Sequence, residues 1–77
     1  MDNVNASLGK IIAGLRQSAG LSQEELADRA GIHRTYVSQI ERGLKSPTII
    51  MLLKVSRALD AAPSKIMRQL EAQIGDI

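Results

Sequence analysis

Arg34, Thr35, Ser38 and Gln39 fall within six consecutive positions and share one side of a helical segment, opposite Val37 and Ile40. Their side chains suit the reading of flat, hydrogen-bonding surfaces. A guanidinium presents a planar fork of donors, a side-chain amide pairs a donor with an acceptor, and a hydroxyl can do either. The edges of paired bases in a duplex major groove are such surfaces. Guanine shows two acceptors to a fork, adenine shows a donor and an acceptor to an amide, and thymine adds a methyl group that a threonine can touch. Arg42, Lys45 and Ser46 follow directly and are of the types that hold phosphate. Taken singly, each of these side chains is equally well explained by solvation on a helix surface. Their number and spacing direct attention to the segment that carries them.

The carrying segment has sharp local boundaries. Ser22-Gln23-Glu24-Glu25 is a capping box, in which the Ser22 hydroxyl accepts from the Glu25 amide and the Glu25 carboxylate reaches back. Glu24 and Glu25 also sit where the helix dipole favours negative charge. Leu26, Ala27 and Ala30 form the inner face of this helix, Gly31 breaks it, and Ile32 is the apolar plug of the turn. A third helix runs from His33 or Arg34 to Arg42 and ends at Gly43, with Val37 and Ile40 inward and Tyr36 beside them. Tyr36 either packs inward or lies along a nucleic-acid backbone with its hydroxyl on phosphate. His33 has no second His or Cys to share a metal with, and is expected to cap the third helix or to contact phosphate.

Three further helices support this pair. Met1 to Ala6 lacks periodicity and is expected to fray; Ser7 is expected to cap a first helix with an apolar stripe of Leu8, Ile11, Ile12, Leu15 and Ala19, ended by Gly20. After a loop from Leu44 to Ser46, Pro47 and Thr48 open a fourth helix that reaches Leu59. Its expected core stripe is Ile49, Leu52, Leu53, Ser56 and Leu59. A second stripe, Met51, Val55 and Ala58 with Ile50 further round, is more apolar surface than so small a monomer hides and is expected to bind a partner. Asp60 occupies a left-handed position, and Pro63 and Ser64 start a fifth helix, with Ile66, Leu70 and Ile74 inward and Met67 alongside. This helix is expected to run through Gln73, with Gly75 to Ile77 fraying. No strand pattern or repeat is present, so the expectation is an all-α, five-helix chain folding as one domain over residues 1–77.

Counted from Gln23, the second and third helices meet the spacing demands of a helix-turn-helix over residues 23–42. The fifth position, where two helices approach closely, is Ala27, and the ninth, which needs a positive φ, is Gly31. The fourth, tenth, fifteenth and eighteenth positions must be apolar and are Leu26, Ile32, Val37 and Ile40. Meeting all six demands together is a specific signal.

From about Ile11 to Met67 the chain resembles the Cro/repressor-like, or XRE, helix-turn-helix family, through LRQSAGLSQEELA, GIHRTYVSQIERG, SPT and the LLKVSRAL run. HRTYVSQIERG and the lack of a sensor region make it most similar to the controller proteins of restriction–modification systems, although short phage repressors and antitoxin-type regulators share most of the pattern. The resemblance implies a lambda-repressor-like fold and a mechanism in which the third helix enters the major groove. Arg34, Thr35, Ser38 and Gln39 would read bases. Gln23, Arg42, Lys45 and Ser46, with His33 and Tyr36, would hold the backbone or sense its shape. Arg16 and Glu41 match the family's buried ion pair, which implies a structural role for both. The implied partners are a double-stranded operator, a second copy of the chain and, at a promoter, RNA polymerase.

Composition agrees with these expectations and narrows the alternatives. The chain has 77 residues, and Tyr36 is its only aromatic, which argues against a stacking surface for single strands. The absence of cysteine excludes a disulfide scaffold and fits a reducing cytoplasm, and the family resemblance implies a bacterial or phage protein at the nucleoid. Net charge is only +2, yet residues 29–68 hold eight basic side chains against two acids. No signal peptide, membrane span, catalytic constellation or metal-ligand pattern is present, so neither an enzyme nor a cofactor is expected. Because one recognition helix spans few base pairs, a homodimer is expected, with Ile50, Met51, Val55, Ala58 and Met67 at its interface. The competing class is an interaction module of the same fold that binds protein instead of DNA.

Overall fold

Chemistry at the helix ends sets the boundaries of this fold. The computed structural model describes residues 2–75, with side chains from residue 4 onward. Five helices occupy these residues: α1 (Asp2–Ser18), α2 (Gln23–Ala30), α3 (Arg34–Glu41), α4 (Ile49–Ala58) and α5 (Pro63–Ile74). The Ser22 hydroxyl accepts from the Glu25 amide at 3.0 Å while the Ser22 amide donates to Glu25 Oε1 at 2.8 Å, so both halves of the capping box at α2 are present. Thr48 caps α4 by accepting from the Met51 amide at 3.1 Å, which places Pro47 outside the helix. Gly31 ends α2 in the left-handed region at φ 70°, and Asp60 follows α4 at φ 54°.

The core gathers one face of every helix. Ile12 of α1, Leu26 of α2, Val37 and Ile40 of α3, Val55 of α4 and Ile66 of α5 are all fully buried. Ser56 is buried among them, and its hydroxyl donates to the Leu52 carbonyl at 2.8 Å, so it leaves no unpaired polar atom. α1 packs against α3 and α5, α2 against α3 and α4, and α4 against α5. α3 is thus held from two sides with its remaining surface outward.

Three expectations are corrected here. α1 begins at Asp2, so Ser7 lies inside the helix and does not cap it. Val4 extends the apolar stripe and packs against the core, and Ala6 lies so close to Gly43 that a Cβ there would stand 3.0 Å from the Ala6 Cα. These contacts order residues that have little helical signal of their own. Ala19 is exposed in the turn after α1 and takes no part in the core. α4 is rotated from its expected phase: Val55, expected at a partner-binding face, is 1% exposed, whereas Ile49 and Leu53, expected in the core, are 70% and 41% exposed. Leu52, Val55, Ser56 and Leu59 form its inner face. α5 runs to Ile74, and residues 1, 76 and 77, expected to fray, lie outside those described.

Candidate nucleic-acid interface

α3 is eight residues long and owes its position to tertiary contacts, since an isolated helix of that length is unstable in water. Val37 and Ile40 anchor its inner face at 1% exposure each. A second anchor is polar. The Glu41 carboxylate at the end of α3 accepts from Arg16 Nε at 2.6 Å and Arg16 Nη2 at 3.0 Å, both from α1, and from Gln23 Nε2 of α2 at 2.9 Å. Arg16 also donates through Nη1 to the Leu21 carbonyl at 2.8 Å. One carboxylate therefore ties three helices together. Hydrogen bonding to Glu41 raises the Arg16 pKa above its ordinary value, against the opposing effect of partial burial.

That network decides the electrostatics of the outer surface. Glu41 is the only acid between His33 and Ser46, and its side chain is turned inward with 6% exposure. Arg34, Arg42 and Lys45 are exposed, and among the described residues the only ion pair is Arg16–Glu41. The stretch from His33 to Ser46 thus presents three cations and no exposed carboxylate. Arg34 and Thr35 lie fully outward in the first turn of α3, with Ser38 and Gln39 half-buried one turn on. This gives a strip of forked, amide and hydroxyl groups along a rigid helix, with Arg42, Lys45 and Ser46 exposed beyond it.

The structure refines several of the expected positions. His33 occupies the N-cap of α3 with extended backbone, but its side chain makes no capping hydrogen bond, so it caps by backbone alone and its ring is exposed. Gln23 is half-buried, with one amide donor committed to Glu41. Tyr36 is half-buried and packs against the core, with Lys45 Nζ 5.4 Å from its ring centroid. Sequence reasoning missed that contact, because Tyr36 and Lys45 lie on different elements and no local pattern joins them. A shallow concavity between α2 and α3 is lined by Glu24, Glu25, Asp28, His33 and Arg34. Its three carboxylates disfavour phosphate there and leave the Arg42–Lys45 side as the one suited to a polyanion.

Gly9, also unremarked in the sequence, fixes how closely α1 approaches α3. A Cβ at Gly9 would stand 2.4 Å from the Ile40 carbonyl oxygen and 2.6 Å from that of Glu41. Only a glycine lets α1 pass this close to the last carbonyls of α3.

Comparison with known proteins gives consistent results. The sequence model of a family described as "Helix-turn-helix" matches residues 12–66. The control protein C.BamHI of Bacillus amyloliquefaciens is 34% identical over 67 residues, covering 86% of this chain and 83% of that protein. Among solved structures, the restriction–modification controller protein C.AhdI from Aeromonas hydrophila matches with a TM-score of 0.79 and 37% identity, over 80% of this chain and 94% of that one. The wild-type restriction–modification controller protein C.Esp1396I matches with a TM-score of 0.84 and 27% identity, over 95% and 96%.

Proposed function

The chain belongs to the Cro/repressor-like helix-turn-helix family of transcriptional regulators, and we propose that it is a restriction–modification controller that binds a palindromic operator as a homodimer. One observation carries the proposal: α3 exposes Arg34 and Thr35, with Ser38 and Gln39 one turn on, while its only acid is locked inward by Arg16. Arg34 forks onto guanine O6 and N7, Gln39 pairs with adenine, and Thr35 meets a thymine methyl or a base acceptor. Arg42, Lys45, Ser46 and Gln23 hold phosphates and fix the register. The whole chain serves as one binding unit, with its reading motif at residues 23–42.

Dimerisation supplies the contacts that one short helix lacks. The exposed apolar row on α4, Ile49, Ile50 and Leu53, supports an interface there, and Met67 of α5 is exposed as well. Met51 and Ala58, half-buried, lie at its margin, and Val55 is excluded by its burial. Two-fold pairing places the α3 helices in successive major grooves, with half-site centres about 10 base pairs apart. Bound beside a promoter, such a dimer controls RNA polymerase by occupancy or contact, in the cytoplasm at the nucleoid. No helix among the described residues is long and apolar enough to cross a membrane.

Gel-mobility shift with random-sequence duplex across a salt series tests DNA binding. Retention that weakens steeply as salt rises is the expected result. No retention at the lowest salt would leave the interaction-module reading in its place.

A further inference from the structure

We propose that Lys45 is a positioning residue for operator recognition, acting through Tyr36 as well as by its charge. The proposal rests on the reading of α3 as the base-reading helix. Tyr36 lies between exposed Thr35 and buried Val37 in the first turn of α3, and its ring is half-buried against the core. The ammonium of Lys45 sits 5.4 Å from the ring centroid, within the range at which a cation is attracted to an aromatic face. Protein on one side and a cation at the ring together restrict where the phenol can project beside Thr35.

The backbone that carries Lys45 is itself fixed. The Leu44 amide donates to the Gln39 carbonyl at 2.9 Å and the Gly43 amide to that of Ile40 at 3.0 Å, so the chain leaves α3 along a defined path. Gly43 makes the turn at φ 74° with Ala6 of α1 packed against it. Lys45 is therefore held near Tyr36 by ordered backbone, though its own stem is exposed. A lysine placed only to neutralise phosphate would have no need to lie at this ring.

The two roles separate experimentally. As a phosphate contact alone, Lys45 replaced by methionine weakens binding to every duplex by the same factor and flattens the slope of log affinity against log salt by about 0.9 per lost contact. As a positioning residue, Lys45→Met also changes the ratio of affinities between the operator and single-base variants, by about two- to five-fold. That change disappears when Tyr36→Leu is already present, and Lys45→Arg, whose guanidinium also stacks on a ring, keeps the wild-type ratio.

Tyr36 is the only aromatic residue, so the near-ultraviolet circular dichroism of the free protein reports on this one ring. The expected result is a Tyr36 band altered by Lys45→Met and retained by Lys45→Arg, together with the change in discrimination. An unaltered band with uniform weakening across all duplexes would overturn the proposal. If the wild-type protein bound no duplex, the DNA-reading role of α3 would fall instead, and the free-protein spectrum would still decide whether Lys45 orders the ring.

Discussion

Arg16 and Glu41, twenty-five residues apart, meet through two hydrogen bonds of 2.6 and 3.0 Å and join the first helix to the end of the third. The pair is nearly closed to solvent, at 13% and 6% side-chain exposure. Its consequence reaches the surface: the carboxylate that holds α3 in place is also removed from the outer face of α3.

Arg16→Ala strands the Glu41 carboxylate with only Gln23 as partner. Removing one member of such a pair costs roughly 3–5 kcal/mol, a large part of the stability of a domain this small. Chemical denaturation is expected to show a much lower midpoint, with any loss of DNA binding following from unfolding. Normal stability with lost binding would contradict a structural role for Arg16.

Arg34→Ala is expected to do the reverse. The side chain is exposed and makes no ion pair among the described residues, so stability should change by no more than about 0.5 kcal/mol. Operator affinity should fall by about 1–3 kcal/mol, with selectivity relaxed at one position of each half-site. Titration of operator variants by fluorescence anisotropy checks both statements.

The corrected phase of α4 makes a paired prediction. Leu53→Glu, on the exposed row, is expected to yield a folded protein that sediments as a monomer at concentrations where the wild type dimerises. Val55→Glu places an unpaired carboxyl in the core and is expected to abolish folding. Analytical ultracentrifugation with circular dichroism separates the two outcomes. A dimeric Leu53→Glu protein would move the interface elsewhere.

Gly9→Ala forces a methyl group against the backbone carbonyls of Ile40 and Glu41, where no flexible side chain can yield. The expected loss is about 1–3 kcal/mol, the range for overpacking. Comparison with Gly14→Ala, which has open space around it, provides the control: that substitution should be neutral or stabilising in thermal unfolding.

Acid weakens the start of α2. Hydrogen bonding from Ser22, above all from its backbone amide to Glu25 Oε1, lowers the Glu25 pKa below its ordinary value. A depressed folded-state pKa stabilises the fold above the unfolded-state pKa, and that contribution fades as pH falls through the folded-state value. Glu25→Gln should therefore flatten the acid limb of melting temperature against pH, leaving the neutral region less affected.

How legible each part was follows from where its information resides. The α2–α3 motif could be read because its signals are local: Ser22 and Glu25 lie three residues apart, Gly31 must take a positive φ, and Val37 and Ile40 share a helical face. Thr48 and Pro63 marked helix starts for the same reason. The face of α4 was misread because Ile49-Ile50-Met51-Leu52-Leu53 is apolar all round, so periodicity selects no side. Only packing against α2 and α5 decides that Val55 goes in and Leu53 stays out. The start of α1 and the role of Gly9 were hidden likewise, since Val4, Ala6 and Gly9 gain meaning only when α3 and Gly43 lie against them. On the outer face of α3, residue types single out Arg34 and Gln39 as candidates, whereas the Lys45–Tyr36 contact required the path of the intervening loop.

Selection of bound sequences from a random duplex library tests the central claim most directly. The prediction is a two-fold symmetric consensus, its half-site centres about 10 base pairs apart, that loses definition at one position of each half when Arg34→Ala replaces the wild type. No enrichment over the starting library, with no retention of duplex at low salt, would contradict it.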